Sequence, residues 1–282
     1  MRLFKKIGPV RHCLQKFRDK KYYIGFVPTM GALHEGHLSL IQQCKKLCDL
    51  TVCSIFINPV QFNDPKDFEK YPVTLENDIL LLERDKTDVL FLPSVKEIYP
   101  GGITNLHQYD LDNLENILEG YYRPGHFQGV CNAVHCLLDI VRPDKIFLGQ
   151  KDYQQCLVVK KMMDVFFPQM EVVIASTVRE SNGLAMSSRN MRLSDAARSK
   201  AGAIYEALQF IKNNFRNQSI GTLKQEAVQN ILSAGFDKVD YVEICDAETL
   251  KPITVFENDR KLVALAAAFI EDVRLIDNVM FD

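Results

Sequence analysis

The chain has 282 residues, 47% of them hydrophobic, and its 34 basic and 36 acidic side chains leave a net charge of −2. That length and apolar content suffice for a sizeable core in one large or two smaller domains and exclude a disordered chain. Balanced charge excludes a protein built mainly to bind nucleic acid, the longest strongly apolar run (residues 262–270) is too short to span a bilayer, and eight cysteines without a C-x-x-C pair exclude a zinc-ribbon or dithiol motif.

The basic N-terminal segment lacks the apolar stretch of a signal peptide, so a cytoplasmic location is expected. Residues 22–27, YYIGFV, are aromatic and β-branched enough for a buried strand, which Pro28 is expected to end because proline has no N–H for a ladder. Leu38, Leu40, Ile41, Cys44, Leu47 and Cys48 then recur at helical spacing. Between strand and helix lies Met30-Gly31-Ala32-Leu33-His34-Glu35-Gly36-His37, a glycine-bearing turn expected to offer free backbone N–H groups and the positive end of a helix dipole to an anion. Gly31 and Gly36 have P-loop spacing, but His37-Leu38 stands where Lys and Ser or Thr would reach phosphate and magnesium, and no G-x-G-x-x-G is present here. What remains is His-x-Gly-His. Gly36 lets a triphosphate come close, and His34 and His37 can donate N–H bonds to phosphate oxygens as charge develops. Two histidines at a helix start also suit plain capping or an exposed surface.

Residues 50–57 form the next expected strand, and the Asn58-Pro59 turn lifts Gln61 out of the sheet at its carboxyl end, where ligands of open α/β sheets bind. A helical pattern over 75–86 and a strand over 89–92 follow. The helical stretch 130–141 carries Cys131, His135 and Cys136, which are expected to face the core or a partner helix rather than a metal. Strand 145–148 then runs into Gly149-Gln150-Lys151-Asp152 and a helix over 153–167, repeating the order of strand, glycine and polar helix start. After strand 172–176 and the Gly183 turn, Met186-Ser187-Ser188-Arg189-Asn190 offers two hydroxyls and a guanidinium, all phosphate ligands. Helices over 194–213 and 222–233 precede strands over 239–244, 261–269 and 273–277. The alternation of strand and helix up to about residue 177 implies an α/β fold with a Rossmann-like, doubly wound parallel sheet, and the rest implies a smaller C-terminal α+β domain. The expected domains are 1–177, which carries the nucleotide-phosphate site, and 178–282 as a lid over the active site.

The segment PTMGALHEGH, with Gln61, the Gly149–Asp152 turn and the Met186–Asn190 loop in the same order, closely resembles the pantothenate synthetase family within the HxGH nucleotidyltransferase superfamily. The resemblance covers essentially the whole chain. It implies that ATP and (R)-pantoate form pantoyl adenylate and pyrophosphate, and that β-alanine then gives pantothenate and AMP. It further implies an ATP site of Met30, Gly31, Ala32, Leu33, His34, Glu35, Gly36 and His37, with His37 as proton donor to departing pyrophosphate. Gly149, Gln150, Lys151 and Asp152 would contact nucleotide, Val178 would line the adenine pocket, and Met186, Ser187, Ser188 and Arg189 would grip the phosphates. His34, His37 and Lys151 are the implied catalytic set, and Gln61 and Gln155 the pantoate and β-alanine residues, neutral amides that recognise a hydroxy acid without an opposing charge to desolvate. Mg2+ is expected with ATP, and a homodimer is implied, with no nucleic-acid or membrane partner. The family usually has Glu where this chain has Gln150 and paired acids where it has Asn77-Asp78, so only Asp78 is left there to supply charge to magnesium, which ATP oxygens and water can hold instead. Arg123-Pro124-Gly125-His126-Phe127-Gln128-Gly129-Val130 also matches a family segment, with His126 expected to be structural. Two rivals share the His-x-Gly-His chemistry: a nucleotidyltransferase with a phosphorylated acceptor, and a nonenzymatic nucleotide sensor. A tRNA synthetase would need an anticodon-binding domain for which the chain has no room.

Overall fold

The apolar runs of the first two thirds of the chain become strands buried on both faces, as a parallel sheet between helical layers requires. A computed structural model describes residues 1–104, 106–256 and 260–281. Six strands, β1 (Arg2–Phe4), β2 (Ile24–Thr29), β3 (Leu50–Ile55), β4 (Val89–Phe91), β5 (Lys145–Gly149) and β6 (Glu171–Ala175), form a parallel sheet in the order β1-β4-β3-β2-β5-β6. Successive residues point to opposite faces. Phe26, Val52, Phe91 and Ile146 pack into the cluster built with helices Ile7–Arg18, His126–Val141 and Tyr153–Phe166, whereas Val27, Cys53, Leu90 and Phe147 pack against helices Glu35–Leu47 and Leu75–Arg84. The order reverses between β2 and β5. The carboxyl end of β2 therefore borders a topological switch point, where open α/β sheets bind ligands.

Pro28 does not end β2. The strand continues to Thr29, with Pro28 opposite Ser54 on β3. Thr29 accepts from Phe56 N on the β3 side, so the missing N–H of Pro28 falls on the β5 side, where pairing extends only from Gly25 to Phe26. A proline there costs no ladder bond. The short edge strand β1 and helix Ile7–Arg18 are additions to the elements expected from sequence.

The chain divides into two compact units, one of Met1–Gly149 with Gln155–Ser176, the other of Gln150–Gln154 with Thr177–Asp282. The second contains a three-stranded antiparallel sheet, β7 (Lys238–Asp246), β8 (Leu262–Ile270) and β9 (Val273–Phe281), in the order β7-β8-β9. Helices Ala203–Asn214 and Ile220–Ser233 cover it, with Ile204, Leu208, Ile211, Leu223 and Ile231 fully buried. The single helix expected over 194–213 is two, Asp195–Lys200 and Ala203–Asn214. Between them Gly202 leaves room for the Asn182 carbonyl, which a Cβ would meet at 2.0 Å, and the Asn182 amide donates to Arg198 O. Among the described residues, no helix is long and apolar enough to cross a membrane.

Candidate active site

The turn after β2 is built against the backbone's ordinary preferences. Gly31 has φ +83° and Ala32 φ +50°, so two successive residues adopt the left-handed region, a conformation alanine adopts only at a cost. Two left-handed residues turn the next N–H groups inward, and the side chain they meet is Asp78, only 1% exposed, from helix Leu75–Arg84. Ala32 N donates to Asp78 Oδ2 at 2.9 Å, and Leu33 N and Thr74 Oγ1 donate to Oδ1 at 2.8 and 2.9 Å. The carboxylate thus supplies the anion that this concave backbone would otherwise bind.

Both Asp78 oxygens thus accept from protein donors, and the turn does not offer the row of free N–H groups expected of it. Gly31 N donates to Thr29 Oγ1, His34 N to His37 Nδ1, Gly36 N to His34 Nδ1, and His37 N and Leu38 N to the His34 carbonyl. Between Gly31 and Leu38, Glu35 alone, exposed and ion-paired to Arg84, has no acceptor for its N–H among the described residues. What the turn can present to a ligand is therefore imidazole and the helix dipole.

Both histidines cap the helix, and capping is what aims them. His34 is the N-cap of Glu35–Leu47, and its Nδ1 accepts from Gly36 N at 3.2 Å. His37 closes a reciprocal box, its Nδ1 accepting from His34 N at 3.3 Å. The rings lie 4.0 Å apart between centroids. With both Nδ1 atoms accepting, each neutral ring carries its proton on Nε2, the atom through which it can donate to a ligand. Leu33 points its side chain into the core and is 7% exposed. Met30, Gly31 and Ala32 also line a cavity of about 240 Å³ whose other walls include Ile55, Phe56, Leu75 and Leu92, a surface suited to the uncharged parts of a ligand.

Gln61 sits in a single 3-10 turn, Pro59–Gln61, directly after β3. Its Oε1 accepts from Asn58 Nδ2 at 3.1 Å, and its Nε2 lies 3.0 Å from Met30 Sδ, so it stands beside the start of the histidine turn. Sequence reasoning missed its supports. Asn58, buried at 1% exposure, also donates to Gly129 O and accepts from Tyr99 Oη. Gly129 permits helix His126–Val141 to touch this turn, since a Cβ there would lie 2.6 Å from the Val60 carbonyl. His126 is structural in its contacts: buried, with Nδ1 2.7 Å from Gln61 O and Nε2 3.1 Å from Arg123. Gln155 is half-buried in the first turn of helix Tyr153–Phe166.

The remaining expected residues lie in the second unit, apart from Gly149, which ends β5. Gln150, Lys151 and Asp152 form a 3-10 turn in which Lys151 Nζ is 3.5 Å from Asp152 Oδ1. Val178 and Met186 are adjacent across a tight hairpin, Met186 N donating to Val178 O, with Arg179 bridged to Ala185. Ser187 caps the turn Ser188–Arg192 by accepting from Arg189 N. Asn190, buried, donates to Glu180 and to Ala185 O and so fixes the base of the Ser-Ser-Arg loop. Among the described residues, no group of three or more His, Cys, Asp or Glu side chains could hold a metal ion.

Comparison with known proteins gives a consistent answer over the full length. A family profile described as pantoate-beta-alanine ligase matches residues 2–280. A pantothenate synthetase of Hydrogenovibrio crunogenus is 42% identical over 276 residues, 97% of each chain. One of Thermotoga neapolitana is 43% identical over 283 residues, 99% of each. Among solved structures, a pantothenate synthetase of Thermus thermophilus superposes with a TM-score of 0.90 at 38% identity, covering 99% of both chains. A pantoate-beta-alanine ligase of Francisella tularensis, described as complexed with beta-gamma ATP and beta-alanine, gives 0.84 at 38% identity, covering 99% of this chain and 97% of that one.

Proposed function

The chain belongs to the pantoate-beta-alanine ligase family and is an ATP-using, pantothenate-forming ligase, and we propose that it works through a pantoyl adenylate held by the residues described above. In the first half-reaction a pantoate carboxylate oxygen attacks the α-phosphorus of ATP. The new P–O bond forms as the bond to the β-phosphate breaks, and pyrophosphate leaves with the electron pair. In the second, the β-alanine amine attacks the acyl carbon, AMP departs with the electrons of the C–O bond, and the amine loses a proton to give the amide. Neither step needs an enzyme nucleophile, so the protein contributes positioning and stabilisation of charge.

His34 and His37 act on the phosphates through Nε2, His37 donating to pyrophosphate as it leaves. Lys151 neutralises phosphate charge, and Gly149, Gln150 and Asp152 contact the nucleotide beside it. Val178 lines the adenine pocket, while Met186, Ser187, Ser188 and Arg189 hold the phosphates. Gln61 and Gln155 bind pantoate, and Gln61 serves β-alanine. Residues 178–282 serve as a lid in the same proposal. Mg2+ enters as part of the ATP complex, held mainly by ATP oxygens and water, while the buried acid beside the turn, Asp78, accepts from three protein donors. A homodimer and a cytoplasmic location belong to the same proposal, and light scattering at micromolar concentration checks the first.

The observation that carries this reading is the capped histidine pair, whose Nδ1 atoms are both committed to the helix start. The test is pantoate-dependent exchange of labelled pyrophosphate into ATP, with magnesium and without β-alanine. Exchange is expected, and His37→Ala should lower it by roughly 10²- to 10³-fold, as loss of one transition-state donor does. A folded, ATP-binding protein without exchange would remove the adenylate and favour a different acceptor or a nucleotide sensor.

A further inference from the structure

The C-terminal strand β9 carries a buried acid and a buried amide in succession, Asp277 and Asn278, each 2% exposed, and neither belongs to the site just described. Asn278 Nδ2 donates to two successive carbonyls, Gln150 O and Lys151 O, both at 2.9 Å. Gln150 returns the contact, its Nε2 donating to Asn278 Oδ1 at 3.2 Å. These two carbonyls belong to the peptide planes on either side of the Lys151 Cα. Pinning both planes fixes the φ and ψ of Lys151, and with them the direction in which its side chain leaves the backbone. A carboxylate could not do this, because the two acceptors need two N–H donors from one group, which only an amide of this size supplies.

Asn278 is itself held in place. Arg179 grips Asp277 through two bonds of 2.6 and 2.9 Å, Asp277 Oδ1 accepts from Asn278 N at 2.8 Å, and the Arg179 guanidinium lies 3.7 Å from the centroid of the Tyr205 ring. Burial pushes the Asp277 carboxyl up from its ordinary value and the paired Arg179 guanidinium pulls it back. The network spends a buried ion pair on rigidity at a strand whose neighbour β8 consists of alanine, branched aliphatics and Phe269. Its far end is the turn that carries Lys151.

We propose that Asn278 is a positioning residue for the adenylation step, acting through the Lys151 backbone. The proposal rests on reading Lys151 as a phosphate contact. It also gives the Gln150 side chain a role: an amide at 150 donates to Asn278 Oδ1, which a glutamate at that position could not do.

The test is a double-mutant cycle of Asn278→Ala and Lys151→Ala, measured by pantoate-dependent pyrophosphate exchange on protein shown to be folded by circular dichroism. Asn278→Ala is expected to lower kcat/KM for MgATP by about 10- to 100-fold, the loss that accompanies misplacement of a transition-state contact by an ångström or so, while the KM for pantoate stays within twofold. In the Lys151→Ala background the same change should cost less than about threefold, because residues that act as one unit are not additive. Multiplicative losses, or a lower Tm with wild-type kinetics, would overturn the proposal and leave Asn278 a stabilising residue only. Wild-type exchange by Lys151→Ala would overturn it through its premise, and that outcome is separable because it appears in the single variant. Should Asn278→Ala not fold, Asn278→Asp, equal in size but facing two carbonyls with an oxygen, goes through the same cycle against the same criteria.

Discussion

Replacing Asp78 with asparagine keeps the shape of the side chain and removes its charge and one acceptor. Three donors converge on the carboxylate, Ala32 N on one oxygen and Leu33 N with Thr74 Oγ1 on the other. If the asparagine oxygen faces Leu33 and Thr74, its NH₂ faces the Ala32 N–H, and one buried backbone donor loses its partner at about 1–3 kcal/mol. The two surviving bonds fall from charged to neutral strength, a further loss of about 1 kcal/mol each, offset in part by about 1 kcal/mol because a buried charge no longer has to be desolvated. The net loss expected is about 3 kcal/mol, within the stability of a domain this size, so the variant should fold. Because Ala32 sits at φ +50°, the turn should relax once its anion is gone, carrying His34 and His37 with it. The expected kinetic result is a 10- to 100-fold lower kcat/KM for ATP in pyrophosphate exchange, with the magnesium concentration for half-maximal activity unchanged. Urea denaturation and a magnesium titration check the two halves. Unaltered stability together with a severalfold higher magnesium requirement would refute the argument, since it would mean that the carboxylate serves the metal and not the turn.

Three other outcomes follow from single contacts. Gly129→Ala places a Cβ against the Val60 carbonyl and Gln61 Cα, so it should raise the KM for pantoate several-fold and destabilise by about 1–3 kcal/mol; a lower Tm with an unchanged pantoate KM would deny that helix His126–Val141 positions Gln61. Six of the eight cysteines are buried and only Cys48 and Cys136 are half-buried, and burial pushes the Cys44, Cys131 and Cys245 thiols up to about 12 and Cys53 further still, so at pH 8 the native protein should give no more than two rapidly reacting thiols to Ellman's reagent, against eight in denaturant. Four or more in the native state would show that these side chains open readily. His135, whose buried Nδ1 has no partner among the described residues and whose ring packs on Phe166 and Phe167, is held below its ordinary value by burial and then by His107. A depressed folded pKa contributes stability above the unfolded value and loses it as pH falls, so the Tm gain of His135→Phe should grow from pH 8 to pH 5; parallel Tm profiles would refute the sign.

The strands and most helices were readable because each is a local pattern: YYIGFV for β2, the spacing of Leu40, Ile41 and Cys44 for the helix after it, the near-continuous apolar run for β8. Errors arose where a distant partner overrides the local rule. Pro28 reads as a stop, yet its missing N–H falls where β5 no longer pairs. Residues 194–213 read as one helix, yet the Asn182 carbonyl occupies the space over Gly202 and divides it. β1 is three residues long, too short for any periodicity to register.

At the site, the residues proposed to touch ligand could be chosen from sequence because His-x-Gly-His and Ser-Ser-Arg-Asn carry their chemistry within a few positions. The residues that aim them could not. Asp78 lies 46 positions from Ala32, His126 lies 65 from Gln61, and Asn278 lies 127 from Lys151. Such pairs join different elements, and no spacing rule links an acid in one helix to two N–H groups in another loop. The consequence is chemical as well as topological. A P-loop leaves its N–H groups for the phosphate; here the fold supplies its own carboxylate to those donors and turns both histidine Nδ1 atoms inward to the next ones. At this turn the proposed hold on triphosphate then rests on the imidazoles and the helix dipole rather than on a row of N–H groups, and side chains can be re-aimed by their supports. A substitution at Asp78, His126 or Asn278 should therefore alter turnover while leaving every residue proposed to meet ligand in the chain.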